Sequence, residues 1–296
     1  MKALLIGGTG NISLSVSRLL VEKGWELTLL NRGHRNELVP GAEMLVADIN
    51  DSARVHAALA GRSFDVVVQF IAYRREEVLR DIGLFTGITG QYIFISTASA
   101  YQKPPRNYLI DESVPLHNPY WQYSRDKANC EKLLTEAYNK DFFPFTIVRP
   151  SHTYGESKLP LALHGAKGSW QALDRMLRKK PVIIPGDGTS LWTLTWAEDF
   201  ARGLAGLMGN SRAIGQAVHI TSDEALTWNQ IHETVAAAAG VPLIPCYVPS
   251  TLLAMAESYD FSGTLLGDKA NCAVFDNSKI KSLVPGFHAV TRFDQG

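Results

Sequence analysis

The chain has little of what a disulfide-stapled or charge-dominated protein needs. Its three cysteines, Cys130, Cys246 and Cys272, are far apart and odd in number, which excludes a disulfide framework and fits a reducing, cytoplasmic setting. Net charge is absent too, since 29 basic residues balance 29 acidic ones, so no long-range field favours nucleic acid or an anionic membrane. No apolar run is long enough to span a bilayer. The opening Met1-Lys2-Ala3-Leu4-Leu5-Ile6 turns at Gly7-Gly8 too early for a signal peptide, which predicts a mature chain starting at Met1 with a strand. The eight histidines show neither His-Glu-x-x-His spacing nor pairing with cysteine, so no metal site is expected. What remains is a small-molecule partner, with no role for nucleic acid or membrane.

At 296 residues the chain can bury one large α/β core, with or without a smaller lobe. Aliphatic runs alternate with helical patterns: ALLIGG, a helix over 11–23, ELTLL, MLVAD, a helix over 52–60, DVVVQFIA, a helix over 76–87, YIFIS, a helix over 120–140, and FTIVRP. Such alternation implies right-handed crossovers and a doubly wound parallel sheet covered on both faces. After Pro150 the pattern changes to helices over 170–180, 197–209 and 227–239, joined by PVIIPGDG, AVHIT and Pro-rich connectors. We therefore expect a dinucleotide-binding domain over 1–150, with 191–221 returning to its sheet. A smaller substrate lobe from 151–190 and 222–296 should cover the carboxyl ends of the strands, where ligands bind in open α/β sheets.

The first strand ends in Gly7-Gly8-Thr9-Gly10-Asn11-Ile12-Ser13 and runs straight into a helix. Glycines there let the backbone turn tightly and approach a pyrophosphate, whose charge sits against free N–H groups at the helix start. Ser13 holds the third glycine position of that fingerprint, which predicts a helix riding slightly higher over the sheet. The second strand ends in Asn31-Arg32-Gly33-His34-Arg35. With no carboxylate for the ribose hydroxyls of NAD and two arginines for a 2′-phosphate, NADP is slightly favoured over NAD; solvated loop charges are the alternative. Asp48 and Ile49 close the third strand and could flank an adenine, while Asp51 or Ser52 suits a helix cap.

Tyr123-Ser124-Arg125-Asp126-Lys127 opens a helix, and a spacing of four puts phenol and ammonium on one face. A phenol of pKa about 10 needs a neighbouring positive charge to become a useful acid/base, and Lys127 is the candidate to supply it. The fifth strand ends in Ile95-Ser96-Thr97-Ala98-Ser99, bringing hydroxyls to the same sheet edge, where Thr97 or Ser96 could hold a substrate oxygen.

The strings GGTGNIS, ISTASAY, YSRDK, VRPSHTYG, GDG before WAEDFA, and DNSKIKSLVPGF, in that order and spacing, resemble the extended short-chain dehydrogenase/reductase family, the NAD-dependent epimerase/dehydratase group, over nearly the whole chain. The resemblance implies a Rossmann fold and a homodimer through the helix at 120–140. It implies Tyr123 as acid/base, Lys127 as activator and ribose anchor, and Thr97 as substrate-orienting hydroxyl with Ser96 beside it. Gly7, Gly10 and Asn11 would line the pyrophosphate, Ala72 and Tyr73 the cofactor, and Pro150, Ser151 and His152 the nicotinamide edge. The reaction class implied is NAD(P)-dependent hydride transfer at a secondary alcohol or ketone, as a reductase, epimerase or dehydratase. A nucleotide-sugar epimerase proper, and a cofactor-sensing or RNA-associated protein without catalysis, are the alternatives.

Two departures matter. Trp192 stands where nucleotide-sugar members carry an arginine after GDG, which argues against a nucleotide-sugar substrate, and Arg74-Arg75-Glu76-Glu77 replaces the usual Asn-bearing helix start, which points to an atypical branch. The chain stops at VTRFDQG where the family continues into a helix, so a further tail is an open expectation. His152 and Trp192 are candidate substrate contacts. Trp170 and Trp196 read equally as pocket wall or core, and Arg178-Lys179-Lys180 as a solvated helix end.

Overall fold

The computed structural model describes residues 1–33, 39–164, 168–256 and 259–296. Its strands in chain order are β1 (Lys2–Ile6), β2 (Glu26–Asn31), β3 (Glu43–Val46), β4 (Val66–Gln69), β5 (Tyr92–Ile95), β6 (Leu109–Ile110), β7 (Phe145–Pro150), β8 (His152–Tyr154), β9 (Val182–Pro185), β10 (Leu191–Trp192), β11 (Leu194–Trp196), β12 (Gln216–Ile220), β13 (Leu226–Thr227), β14 (Pro245–Val248) and β15 (Val274–Phe275). The helices are α1 (Asn11–Glu22), α2 (Ser52–Leu59), α3 (Arg75–Phe85), α4 (Gln122–Asp141), α5 (Trp170–Leu177), α6 (Ala197–Leu207), α7 (Trp228–Ala238), α8 (Ser250–Leu253) and α9 (Ser278–Leu283).

Seven strands form one parallel sheet in the order β3-β2-β1-β4-β5-β7-β12. Successive strand side chains point to opposite faces, so each central strand feeds two cores. Leu5, Val66 and Val68 pack under α1 and α6 with Val16, Leu20, Phe200 and Leu204. Leu4, Ile6 and Val67 pack on the other face with Val55, Val78, Phe85 and Leu134. This is why the central strands are apolar at consecutive positions.

The strand order reverses between β1 and β4, opening a crevice at their carboxyl ends. The loops that follow these two strands therefore face each other across it. Of residues 191–221, only β12 hydrogen-bonds into the central sheet. Strand β10 pairs antiparallel with β13, and β11 pairs parallel with β8, at the rim beyond β7. Together with β6, β9, β14 and β15, paired as β6·β15 and β9·β14, they surround a third apolar cluster containing Trp192, Trp228, Ile231 and Met176. Among the described residues no helix is long and apolar enough to cross a membrane.

Candidate active site

The glycine loop is shaped by contacts that leave no room for side chains. Gly7 has φ +85°, and a Cβ there would lie 2.5 Å from Ile71 Cγ2, the second residue after β4. Only glycine takes that conformation at low cost. A Cβ on Gly8 would meet Leu29 Cδ2 at 2.6 Å, so α1 sits close on β2. Ser13, at the third glycine position, donates its hydroxyl to Gly7 O at 2.6 Å and accepts from Gly10 N at 2.8 Å. Its side chain thus stitches the turn instead of merely lifting the helix. Ser17 adds a hydroxyl bond to Gly8 O at 2.7 Å.

Across the crevice, Glu77 accepts from the backbone N–H of Tyr73 at 2.6 Å and of Arg74 at 2.9 Å. The unusual Arg-Arg-Glu-Glu start thereby caps α3 and fixes the loop after β4. Tyr73 then lies against the catalytic candidates: its ring centroid is 6.2 Å from that of Tyr123, and Lys127 Nζ is 4.6 Å from its centroid.

Lys127 is buried, and its ammonium donates to Ala72 O and Ile95 O, each at 2.7 Å. Burial pushes its pKa down to about 8, with Cys130, Glu131 and Glu77 acting the other way. Tyr123 differs from the sequence expectation. Burial pushes its phenol up, Tyr73 and Asp268 add to that, and the Thr97 hydroxyl acts in the opposite direction. The helix-face argument brings the two residues together, but the ammonium is held by two carbonyls and the phenol is a protonated acid at neutral pH. Thr97 is ordered by Ser99, whose hydroxyl lies 3.0 Å from Thr97 Oγ1 and 2.8 Å from Ser124 Oγ. Ser96, by contrast, donates to Glu131 Oε1 at 2.5 Å, and Glu131 pairs with Arg149 Nη2 at 2.6 Å in the interior. Its hydroxyl belongs to that buried network.

A cavity of ≈500 Å³ at the switch point collects Gly7, Gly10, Asn11, Ile12, Tyr73, Ser96, Thr97, Tyr123, Lys127, Pro150, Ser151, His152 and Trp192. Asn11 donates to Thr153 O at 3.4 Å, tying the glycine loop to β8. Five described candidates, Asn31 among them, do not line it directly. Ala72 is buried, offering its carbonyl to Lys127; Ile49 is core; Asp48 accepts from Asn50 N at 2.9 Å; and Arg32 is exposed beyond the end of β2. Arg35 and His34 lie outside the described residues. Asn31 ends β2, and among the described residues its buried Nδ2 has no hydrogen-bond partner. The helix cap expected at Asp51 is formed, its carboxylate accepting from Arg54 N at 3.0 Å.

Trp192 packs on Trp228, centroids 5.2 Å apart, and both indole N–H groups donate to Lys269 O, at 3.2 and 3.0 Å. It is thus both wall and core. Residues that sequence reasoning did not find line the same cavity: Lys103, Lys158, His164, Asp268 and Lys269. They come from connectors far apart in the chain, without a motif that would mark them.

Comparison with known proteins agrees with this architecture. Residues 77–221 match the model of the NAD dependent epimerase/dehydratase family. The chain is 24% identical over 291 residues to 2′-dehydrokanamycin reductase of Streptomyces kanamyceticus, covering 97% of this chain and 80% of that protein. It is 27% identical over 256 residues to the chloroplast stem-loop binding protein of 41 kDa b of Arabidopsis thaliana, covering 81% of this chain and 64% of the relative. Among solved structures, the Thermus thermophilus UDP-glucose 4-epimerase in complex with NAD superposes with a TM-score of 0.77 at 19% identity, covering 100% of this chain and 96% of that one. The fold is that of the Rossmann-type epimerases. Residues 77–221 thus match the NAD dependent epimerase/dehydratase family, and over 97% of its length the chain is similar to a reductase.

Proposed function

We propose that the chain is an NAD(P)-dependent oxidoreductase of the epimerase/dehydratase type, acting at a secondary alcohol or ketone carbon with Tyr123 as acid/base. One observation carries this reading: a single cavity is lined by the glycine loop on one side and by Tyr123, Thr97 and Lys127 on the other. The chain's own geometry fits a dinucleotide. The cradle at Gly7 would be filled by any Cβ, and the unpartnered Asn31 Nδ2 at the end of β2 offers a donor where an adenosine ribose would lie. When bound, a nicotinamide supplies the hydride donor or acceptor.

In this reading Tyr123, kept protonated by burial, gives its proton to a substrate carbonyl oxygen and takes it back from the hydroxyl in the reverse direction. Thr97 orients that oxygen. Lys127 ties the loop after β4 to the end of β5 and keeps a cation beside Tyr73. NADP is favoured over NAD because Asn31-Arg32-Gly33 offers a guanidinium and no carboxylate. The small sheets after Pro150 make up the substrate lobe, and α4 is the dimer helix suggested by the family.

A titration with NADPH and NADH, following nicotinamide fluorescence, tests the cofactor. NADPH should bind, and Arg32→Ala should weaken it; a preference for NADH would overturn the NADP assignment, and no binding of either would remove the oxidoreductase reading. Tyr123→Phe should bind cofactor normally and lose roughly 10²–10⁴ in turnover; full turnover would refute its role. A second reading, nucleic-acid binding without catalysis, draws on the Arabidopsis relative's name. It would require salt-dependent RNA affinity in a protein with no turnover.

A further inference from the structure

Beyond Tyr123 the cavity becomes strongly cationic. Lys103, from the segment after β5, is 3% exposed, and Lys269, at the end of the π-helical turn Ser262–Lys269, is also 3% exposed. Lys158, from the loop after β8, lines the same space with its side chain accessible. Among the described residues the carboxylate that acts on all three is Asp268, whose Oδ2 lies 3.6 Å from Lys269 Nζ. Among the described residues neither Lys103 nor Lys158 has an ion-pair partner or a hydrogen bond from its ammonium.

Lys103 and Lys269 are buried and Lys158 stands accessible, so among the described residues three lysines share one carboxylate, two of them out of solvent. A buried ammonium without a counter-charge is strongly disfavoured. A fold retains such a cluster when something else neutralises it. The neighbouring imidazoles cannot, since a histidine is either neutral or cationic; burial and the adjacent lysines push His152 well below the ordinary histidine range and hold His164 down at about 4. His152 Nε2 is itself buried without a hydrogen-bond partner. Burial lowers all three lysines, while Asp268 raises each of them in part. The backbone at Lys269 is immobilised by the two indole hydrogen bonds from Trp192 and Trp228, so the cluster is built on a rigid support.

We propose that Lys103, Lys158 and Lys269 form a subsite for a compact oxyanion of the substrate, so that the alcohol or ketone processed at Tyr123 carries a carboxylate or phosphate group. This rests on the reading of the cavity as the reaction site. The arrangement supplies the ammonium groups of Lys103, Lys158 and Lys269 to a single small group. It selects against neutral substrates by leaving those charges unpaired.

The test is calorimetric titration of the full chain, with and without saturating NADPH or NADH, using malonate, inorganic phosphate and the neutral malonamide as probes at low ionic strength. One saturable site is expected for malonate or for phosphate, the tighter probe distinguishing a carboxylate from a phosphoryl group, with no binding of malonamide. Lys158→Gln and Lys103→Met should each weaken the anion roughly tenfold or more while leaving cofactor affinity unchanged. Lys158 is accessible, so its variant reports even if the Lys103 variant does not fold. Absence of saturable anion binding, or binding indifferent to Lys158→Gln, overturns the subsite. Lysine-dependent anion binding in a chain that binds neither nucleotide would keep the subsite and sink the oxidoreductase reading.

Discussion

Alkaline pH should stabilise this fold through Lys127. The residue is 1% exposed and donates to Ala72 O and Ile95 O, and burial brings its pKa from 10.5 to about 8. In the window between those values the unfolded chain holds a proton that the folded chain has released, so stability rises with pH there. The full penalty is present below about pH 8 and is relieved as pH climbs toward 10.5. At about 1.4 kcal/mol per pH unit, the gap corresponds to roughly 3 kcal/mol. Urea unfolding followed by tryptophan fluorescence at about pH 7.5 and about pH 10 should reveal it as a difference between wild type and two variants. Lys127→Arg stays charged throughout. Lys127→Met never charges; its two orphaned carbonyls cost about 1–3 kcal/mol at every pH. The comparison cancels the other titrating groups, so wild type should gain roughly 2–2.5 kcal/mol relative to either variant between those two pH values. Parallel pH profiles for all three proteins, within about 0.5 kcal/mol, would refute the reasoning.

Gly7→Ala should cost about 1–2 kcal/mol for the left-handed backbone and about 1–3 kcal/mol for the overlap with Ile71. It should also weaken NADPH binding, and Gly7→Ala/Ile71→Ala should recover the second part alone; denaturant titration and nicotinamide fluorescence read both. Arg149→Met strands Glu131 in the interior and should destabilise by about 3–5 kcal/mol. Adding Glu131→Gln should restore much of that, and a single-variant loss below about 1 kcal/mol would show the pair to be well solvated. His152→Phe, which adds bulk to the wall of the same cavity, should weaken malonate or phosphate binding, measured by calorimetry.

The strands and helices of the first 150 residues could be read from periodicity because a doubly wound sheet demands long apolar strands between amphipathic helices, and no tertiary contact overrode that demand. The switch-point cavity was legible in the same way, since the residue after each strand must lie at its carboxyl edge. A spacing of four put Tyr123 and Lys127 on one helix face, and both line the cavity. The electrostatic relation between them was not readable: a spacing of four fixes a face, but the partners of an ammonium depend on which carbonyls cross above it, here those of Ala72 and Ile95. Ser96 illustrates the same limit. Its position at a strand end placed it in the cavity wall, while Glu131 and Arg149 decided where its hydroxyl points.

Sequence by itself determined the order of elements, the glycine turn and the acid/base candidates, because each rests on interactions within a few residues along the chain. Only the tertiary structure decided that Ser13 would stitch the glycine loop, that burial would keep Tyr123 protonated, and that Lys103, Lys158 and Lys269 would line one cavity with Asp268. Desolvation and charge convergence depend on which distant segments come to share a space. Those distances are set by the packing of the whole sheet and its rim, and no local pattern encodes them.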